Sequence, residues 1–294
     1  KDINEDELTH IDKKISLSGY YSNFLIAKGN FMASNMEWSF KLLNKYEKEI
    51  DVLHVEDESF LKFFKEKTEC SLDKSKAILQ SIYKDKANIF CKCGNFIEIV
   101  KEHIEKNNIS TVIVGFKRER TFLEDIFNGS NLSNIIRKLD IPVIVIKTED
   151  EPNYKNILVP TDLSKASKIN IEYLVSIFPE ANFHIEHYYK AFFEDRVKLY
   201  GFNDSEAHDF VDFYADEAQK DLDKFVEKLE IPSEIKIFKK AKKYVDIKSM
   251  VDESIEYKTI DLLGLSVGSS LSIFSFDLLE DSKKDVIIYK VKGD

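Results

Sequence analysis

Two glycine-containing loops, one strand-to-helix turn and a handful of histidines and cysteines are where this sequence could do chemistry. The first loop runs from Gly115 through Lys117, Arg118 and Arg120 to Gly129 and Ser130. Glycines let backbone N–H groups approach a phosphate, and a Gly-Ser step can open a helix whose N-terminus favours anions. The cations between them could pair with phosphate oxygens. The bland alternative is a solvated loop that keeps its turn glycines. The second loop, Leu265 to Ser270, is shorter and ends on Gly268, Ser269 and Ser270. The turn is KNILVPTDLSKAS, Lys155 to Ser167, with Pro160, Thr161, Asp162 and Ser164 just past an apolar run. Asp162 could meet a base or ribose, or it could be a turn residue or helix N-cap.

The remaining reactive side chains do not assemble into a catalytic set. The histidines are His10, His54, His103, His184, His187 and His208. His184 and His187 are three apart in a strand and face opposite sides, so they cannot share a metal. His54 and His187 sit at equivalent strand ends, where a hydrogen-bonded structural role is the expectation. Cys91 and Cys93 make a C-x-C pair without further ligands in register, and Cys70 stands apart. The three are expected to be core thiols rather than a metal site or a disulfide framework. Ser130 and Ser164 have no partnered base, and acidic pairs such as Asp216-Glu217 and Glu280-Asp281 read as solvated faces. An enzyme is not supported, and no metal site is expected.

These residues must be positioned by alternating strands and helices. Phe24–Ala27, Ile50–Val55, Ala87–Cys91, Thr111–Val114 and Val143–Ile146 read as strands. Met36–Leu43, Leu72–Tyr83, Ile97–Ile104 and Leu132–Leu139 read as helices between them, and the whole indicates a doubly wound parallel sheet. A polar segment, Thr148 to Tyr154, reads as a linker. After it the order restarts with Ile157–Val159, a strand that Pro160 should end, and a helix bearing Ile169, Tyr173, Leu174 and Ile177. The offset is 133 residues from Gly29 to Asp162 and from His54 to His187, 151 from Ser110 to Asp261 and 143 from Pro142 to Asp285. The second copy therefore gains 18 residues in its middle and loses 8 near its end. The gain falls around Tyr189 to Glu230, where Phe210, Phe213, Ala218, Leu222, Phe225 and Leu229 trace a long amphipathic helix. Phe192, Phe193, Phe202 and Tyr214 crowd the same insertion, as core packing or as an apolar pocket or partner face.

The chain has 294 residues, 43% hydrophobic and 33% charged, with net charge −10. That suits a packed α/β protein and argues against a nucleic-acid partner, since no overall basic excess is available. No apolar run approaches a membrane span and no signal peptide is visible, so a cytoplasmic protein without membrane contact is expected.

On these motifs the chain resembles the universal stress protein family in its tandem form. NILVPTDLS matches the family's first strand and its adenine- and ribose-facing turn, Leu53–Val55 the second strand, and VIVGFKRERTFLEDIFNGSN with IPVIVIK the phosphate loop, helix and closing strand. The resemblance implies two Rossmann-like, five-stranded domains, residues 22–148 and 155–294. An N-terminal extension (1–21) precedes them and a linker (149–154) joins them. It further implies pseudo-twofold pairing through Val143–Ile146 and Val286–Tyr289, and a possible homodimer. It also implies adenine-nucleotide binding (ATP, ADP or AMP, with Mg²⁺ for ATP) by a non-enzymatic stress-response protein. Candidate contacts are Gly115, Arg118, Gly129 and Ser130 in the first half, and Pro160, Thr161, Asp162, Gly268 and Ser269 in the second. Both sites depart from the family pattern. In the first, Arg118 replaces a glycine, ten residues rather than nine separate it from Gly129, and Gly29 stands where Asp162 does. In the second, Ser266 replaces the first glycine and the loop is short. The sites are therefore expected to bind weakly or in one half. The alternative is a scaffold or small-ligand-binding protein that has lost nucleotide and uses the apolar insertion.

Overall fold

A computed structural model describes residues 24–29, 50–56, 72–115, 136–148, 153–190, 203–268 and 272–291. The expected helix over Met36–Leu43 lies outside these residues, as does the first half of the one over Leu132–Leu139. The chain divides into two compact units, Lys1–Asn153 with Lys283–Lys290, and Tyr154–Ser282 with Val291–Asp294.

In the first unit the strands are β1 (Phe24–Gly29), β2 (Ile50–Glu56), β3 (Asn88–Cys93), β4 (Thr111–Gly115) and β5 (Val143–Ile146). They are ordered β3-β2-β1-β4-β5 and run parallel. Strands covered on both faces need continuous apolar sequence, and Leu25, Val52, Leu53, Val112, Val143 and Val145 are fully buried. Helix α1 (Leu72–Tyr83) precedes β3 and α2 (Phe96–Asn107) crosses from β3 to β4. Asn95 caps α2 by accepting from the backbone N–H groups of Ile97 and Glu98, and Asn108 closes it in the left-handed conformation.

The last strand of the chain, β10 (Asp285–Lys290), belongs to this unit and lies antiparallel to β5, with Val286 opposite Val145 and Ile288 opposite Val143. The two closing strands thus pair, as the family resemblance implied, and each covers an apolar edge the other would leave open. Asp285, 1% exposed, fixes the register. Its Oδ1 accepts from the backbone N–H groups of Lys147 and Thr148 at 2.7 and 2.9 Å and from Thr148 Oγ1 at 3.0 Å.

The second unit repeats the pattern with β6 (Asn156–Thr161), β7 (Asn182–Tyr189), β8 (Lys236–Lys243) and β9 (Leu262–Val267), parallel and ordered β9-β6-β7-β8. Helix α3 (Lys165–Ile177) follows β6, α4 (Asp204–Glu227) follows β7, α5 (Ile247–Tyr257) follows β8 and α6 (Ser272–Asp281) follows β9. Helix α3 sits close on the sheet because β9 offers Gly264. A Cβ there would meet Leu174 Cδ1 at 2.5 Å and Val159 Cγ2 at 3.4 Å.

The long helix expected in the insertion is α4, opened by a capping box between Asn203 and Glu206. Its second half packs inward through Ala218, Leu222 and Phe225, whereas Phe213 is 60% exposed. The apolar stripe read from the sequence is therefore a core face only from Ala218 onward. Among the described residues no helix is long and apolar enough to cross a membrane.

Candidate functional site

In an open parallel sheet, ligands enter where strand order reverses, beyond the carboxyl ends of the central strands. In the second unit that place lies between β6 and β9, and Pro160 shapes it. Pro160 was expected to end the ladder, but it does so on one side only. Toward β7 the pairing continues through Pro160–Glu186 to Thr161–His187, whereas toward β9 it stops at Leu158–Leu263. Proline has no N–H to give β9, so the two strands part here.

Thr161 and Asp162 build the turn. Thr161 is 1% exposed, and its Oγ1 accepts from the backbone N–H of Leu163 at 3.0 Å, holding Leu163 at φ +64°. Asp162 Oδ1 accepts from the Ser164 backbone N–H at 3.1 Å and from Ser167 Oγ at 2.8 Å. Ser164 in turn caps α3 by accepting from the Ser167 backbone N–H at 3.2 Å. The carboxylate that resembles a nucleotide contact thus acts as the brace of a helix start. The geometry shows Asp162 in the turn and helix-start role that the sequence offered.

Gly268 has a comparable local duty. Its φ is +114°, and a Cβ would lie 2.8 Å from the Val291 carbonyl oxygen, while the Val291 N–H donates to Val267 at 3.1 Å. The glycine is required by backbone packing at the end of β9. Substitution Gly268→Ala is expected to cost about 1–3 kcal/mol, from left-handed strain and the close carbonyl. Urea denaturation measures it, and a loss under half a kilocalorie would show that the segment yields.

Beneath this turn Pro160, Ile247, Leu265, Ser266, Ser275 and Leu278 line a small crevice. Ser266 is 3% exposed, and its carbonyl accepts from Ser275 Oγ at 3.0 Å. Above this crevice, Gly268 packs on backbone and the Asp162 carboxylate braces a helix start. In the first unit Gly115 ends β4, buried and paired with Ile146. Arg118, Gly129 and Ser130 lie outside the described residues, as does Ser269.

His187 Nδ1 donates to the Thr161 carbonyl at 3.0 Å, which makes it a hydrogen-bonded structural histidine. His54 is 8% exposed with Nε2 3.8 Å from Glu56 Oε1, which also accepts from Ser75 Oγ at 3.0 Å. The cysteines depart from expectation. Cys91 is a free thiol whose pKa burial pushes up, but Cys93 is disulfide-bonded, so the reading of three core thiols fails at Cys93. Strand alternation places Cys91 and Cys93 on one face and says nothing about oxidation. Among the described residues no group of three or more His, Cys, Asp or Glu side chains could hold a metal ion.

The sequence also concealed two buried carboxylate centres. In the second unit Glu186 on β7 is wholly buried. It binds Lys258 Nζ at 2.5 Å, Lys242 Nζ at 3.1 Å, Tyr188 OH at 2.6 Å and Ser254 Oγ at 2.9 Å. Burial alone would raise its pKa. Hydrogen bonds from Lys258 and Tyr188, with the lysine charges, outweigh burial and hold the carboxyl below its usual range. Burial and the Glu186 charge push the Tyr188 hydroxyl far up. In the first unit His103 Nε2 lies 2.8 Å from Asp51 Oδ2, with both side chains buried. Asn88 Nδ2 donates to Asp51 Oδ1 at 3.0 Å, and Phe90 meets the His103 ring edge-on at 4.6 Å.

Three solved structures match both halves of the chain. A universal stress protein from Archaeoglobus fulgidus DSM 4304 has TM-score 0.59 at 16% identity, covering 92% of this chain and 97% of its own. A functionally unknown protein from Pseudomonas aeruginosa PAO1 has TM-score 0.58 at 10% identity, covering 94% of each chain. A protein from Pseudomonas aeruginosa UCBPP-PA14 assigned to the universal stress proteins has TM-score 0.59 at 9% identity, covering 94% and 95%. The chain has the universal stress protein fold. At these identities the likeness is one of fold, and it spans two successive α/β units as the repeat in the sequence led us to expect. No family model and no curated protein matches the sequence.

Proposed function

We propose that this chain is a tandem universal stress protein, a non-enzymatic stress-response protein that binds adenine nucleotide weakly and in its first half. The observation that carries this reading is the engagement of the second crevice by its own chain. Asp162 braces Ser164 and Ser167, and Gly268 packs on the Val291 carbonyl. What remains for phosphate is Gly115, at the end of β4, with Arg118, Gly129 and Ser130 in the loop that follows it in sequence. Glycine approach and guanidinium pairing are the physical basis for that assignment.

Calorimetric titration with ATP, ADP and AMP in the presence of Mg²⁺ tests it. Weak binding is expected, abolished by Arg118→Ala and unchanged in affinity by Asp162→Ala. The Asp162→Ala protein should instead lose about 1 kcal/mol of stability, as expected for a lost helix-start brace. Loss of binding in Asp162→Ala alone would move the site to the second half, and no heat at millimolar nucleotide would remove it. The second reading, a partner-binding scaffold, draws on Phe213, which presents an aromatic ring 60% exposed on α4 beside Tyr214.

A further inference from the structure

Net charge −10 conceals one strongly basic element. Strand β8, KIFKKAKK, carries five lysines and no acid, and it is the terminal strand of its unit's ladder. Lysines on an edge strand commonly deter strand addition, and this edge has a further guard, since Gln219 Oε1 of α4 accepts from the Ala241 N–H at 2.9 Å. Edge protection does not, however, account for the strand's open face. Residues two apart share a face and stand about 6.6 Å apart, so Lys236, Phe238, Lys240 and Lys242 form one line.

Phe238 sets which face this is. It stacks on His184, its register partner on β7, with ring centroids 4.9 Å apart and planes 14° from parallel, yet remains 53% exposed. One side of the ring is taken by the imidazole, and the other is open to solvent. Burial and the Lys258 charge push the His184 pKa down, so the stack is a neutral platform. Lys239 faces the other way, 2.9 Å from Asp223, and Lys242 reaches in to Glu186. Lys236 and Lys240, on either side of Phe238, are exposed and make no ion pair among the described residues.

We propose that this face of β8 binds single-stranded nucleic acid, with a base stacked on Phe238 and successive phosphates paired with Lys236 and Lys240. A half-exposed ring lying flat on a second ring suits a planar partner, and flanking cations suit phosphate. A single nucleotide shares that chemistry, but cations on both sides of the ring call for a line of phosphates rather than one. Local charge, not net charge, steers such a partner. The surface is independent of the first-half nucleotide loop.

Fluorescence anisotropy of the full chain with a labelled short oligouridylate tests this. Binding is expected at low salt and should weaken steeply as salt rises. Phe238→Ala should weaken it about five- to hundredfold, the range for one stacked base. Lys236→Gln with Lys240→Gln should weaken it and reduce the slope of log K against log salt by about 1.4, or 0.7 per lost phosphate contact. Arg118→Ala should leave it unchanged, which separates this surface from the nucleotide loop. All three positions on β8 are exposed, and circular dichroism confirms that the variants fold. No binding at low salt, equal binding by the variants, equal competition by AMP or duplex DNA, or preference for a polyglutamate peptide would each overturn the proposal.

Discussion

Replacing Lys242 and Lys258 together with methionine is expected to cost about 3–5 kcal/mol, the largest effect foreseen for any surface-accessible pair in the second unit. Glu186 has no exposure of its own, whereas each lysine side chain keeps about a fifth of its surface in solvent. A lysine left without Glu186 could turn outward, but Glu186 left without lysines cannot follow. Either single substitution should therefore cost less, because the remaining ammonium still neutralises the carboxylate. Adding Glu186→Leu to the double variant should recover most of the loss, since apolar replacement of a whole buried ion cluster is often neutral. The residue of the loss reflects the Tyr188 and Ser254 hydroxyls, about 1–3 kcal/mol if either is left unpaired. Urea denaturation followed by far-ultraviolet circular dichroism gives all these values. A triple variant as unstable as the double would show that packing, not uncompensated charge, is what the lysines supply.

The pH dependence sharpens the same experiment. In the native protein the Glu186 pKa is lowered on folding, so its contribution is present above the unfolded value near 4.3 and is lost as pH falls through the folded value. In the double methionine variant burial is opposed only by the Tyr188 and Ser254 hydroxyls, without any cation, and is expected to raise the folded pKa. The sign then reverses. The unfolded chain ionises first as pH rises, so the variant's deficit should open between about pH 4 and neutrality and nearly close below pH 4. A deficit that is flat with pH would assign the loss to something other than ionised Glu186.

The contrast between what could and could not be read in advance follows from where partners lie. Val143–Ile146, Thr111–Val114 and Ile50–Val55 declared themselves because a strand covered on both faces needs only its own apolar run. The duplication was legible for the same reason, as spacing between local signatures. Strand β8 was not, since KIFKKAKK, with five lysines in eight residues, resembles a solvated segment and pairs only through its register with β7. Glu186 lies in FHIEHYY in phase with Asn182, His184 and Tyr188, a phase that reads as a wet face. Apart from Tyr188, its partners come 56 to 72 residues later, where no periodicity connects them. Asp162 was legible as a turn residue and as a ligand contact alike, because both roles ask for a carboxylate after a strand. The bonds to Ser164 and Ser167 make the turn role visible, which no pattern in the sequence could do.

Asp51→Ala is expected to destabilise the first unit by about 3 kcal/mol, between the cost of an orphaned hydrogen-bonding group and that of a broken buried ion pair. The substitution strips both His103 and Asn88 of their acceptor, and His103 is only 2% exposed. Asp51→Asn keeps the shape and one acceptor, so it should cost less. In a double-mutant cycle Asp51→Ala and His103→Ala should couple by about 1–3 kcal/mol, and simple additivity would show that the contact carries no stability of its own. The pair has a counterpart across the duplication. His103 and Ser254 are 151 residues apart, the offset of the fourth strands, and Ser254 likewise holds the buried carboxylate of its unit. The carboxylates themselves are not equivalent, since the second-strand offset of 133 maps Asp51 onto His184 and Glu186 onto Leu53. Each unit thus fastens the helix that crosses back over its sheet to the second strand through a buried acid, at different positions. A crossover helix on a doubly wound sheet has its amphipathic face as its main attachment, and a charged anchor fixes where along the strand that face sits. The two halves meet that requirement with unrelated residues, so disrupting one anchor should leave the other unit's stability unchanged.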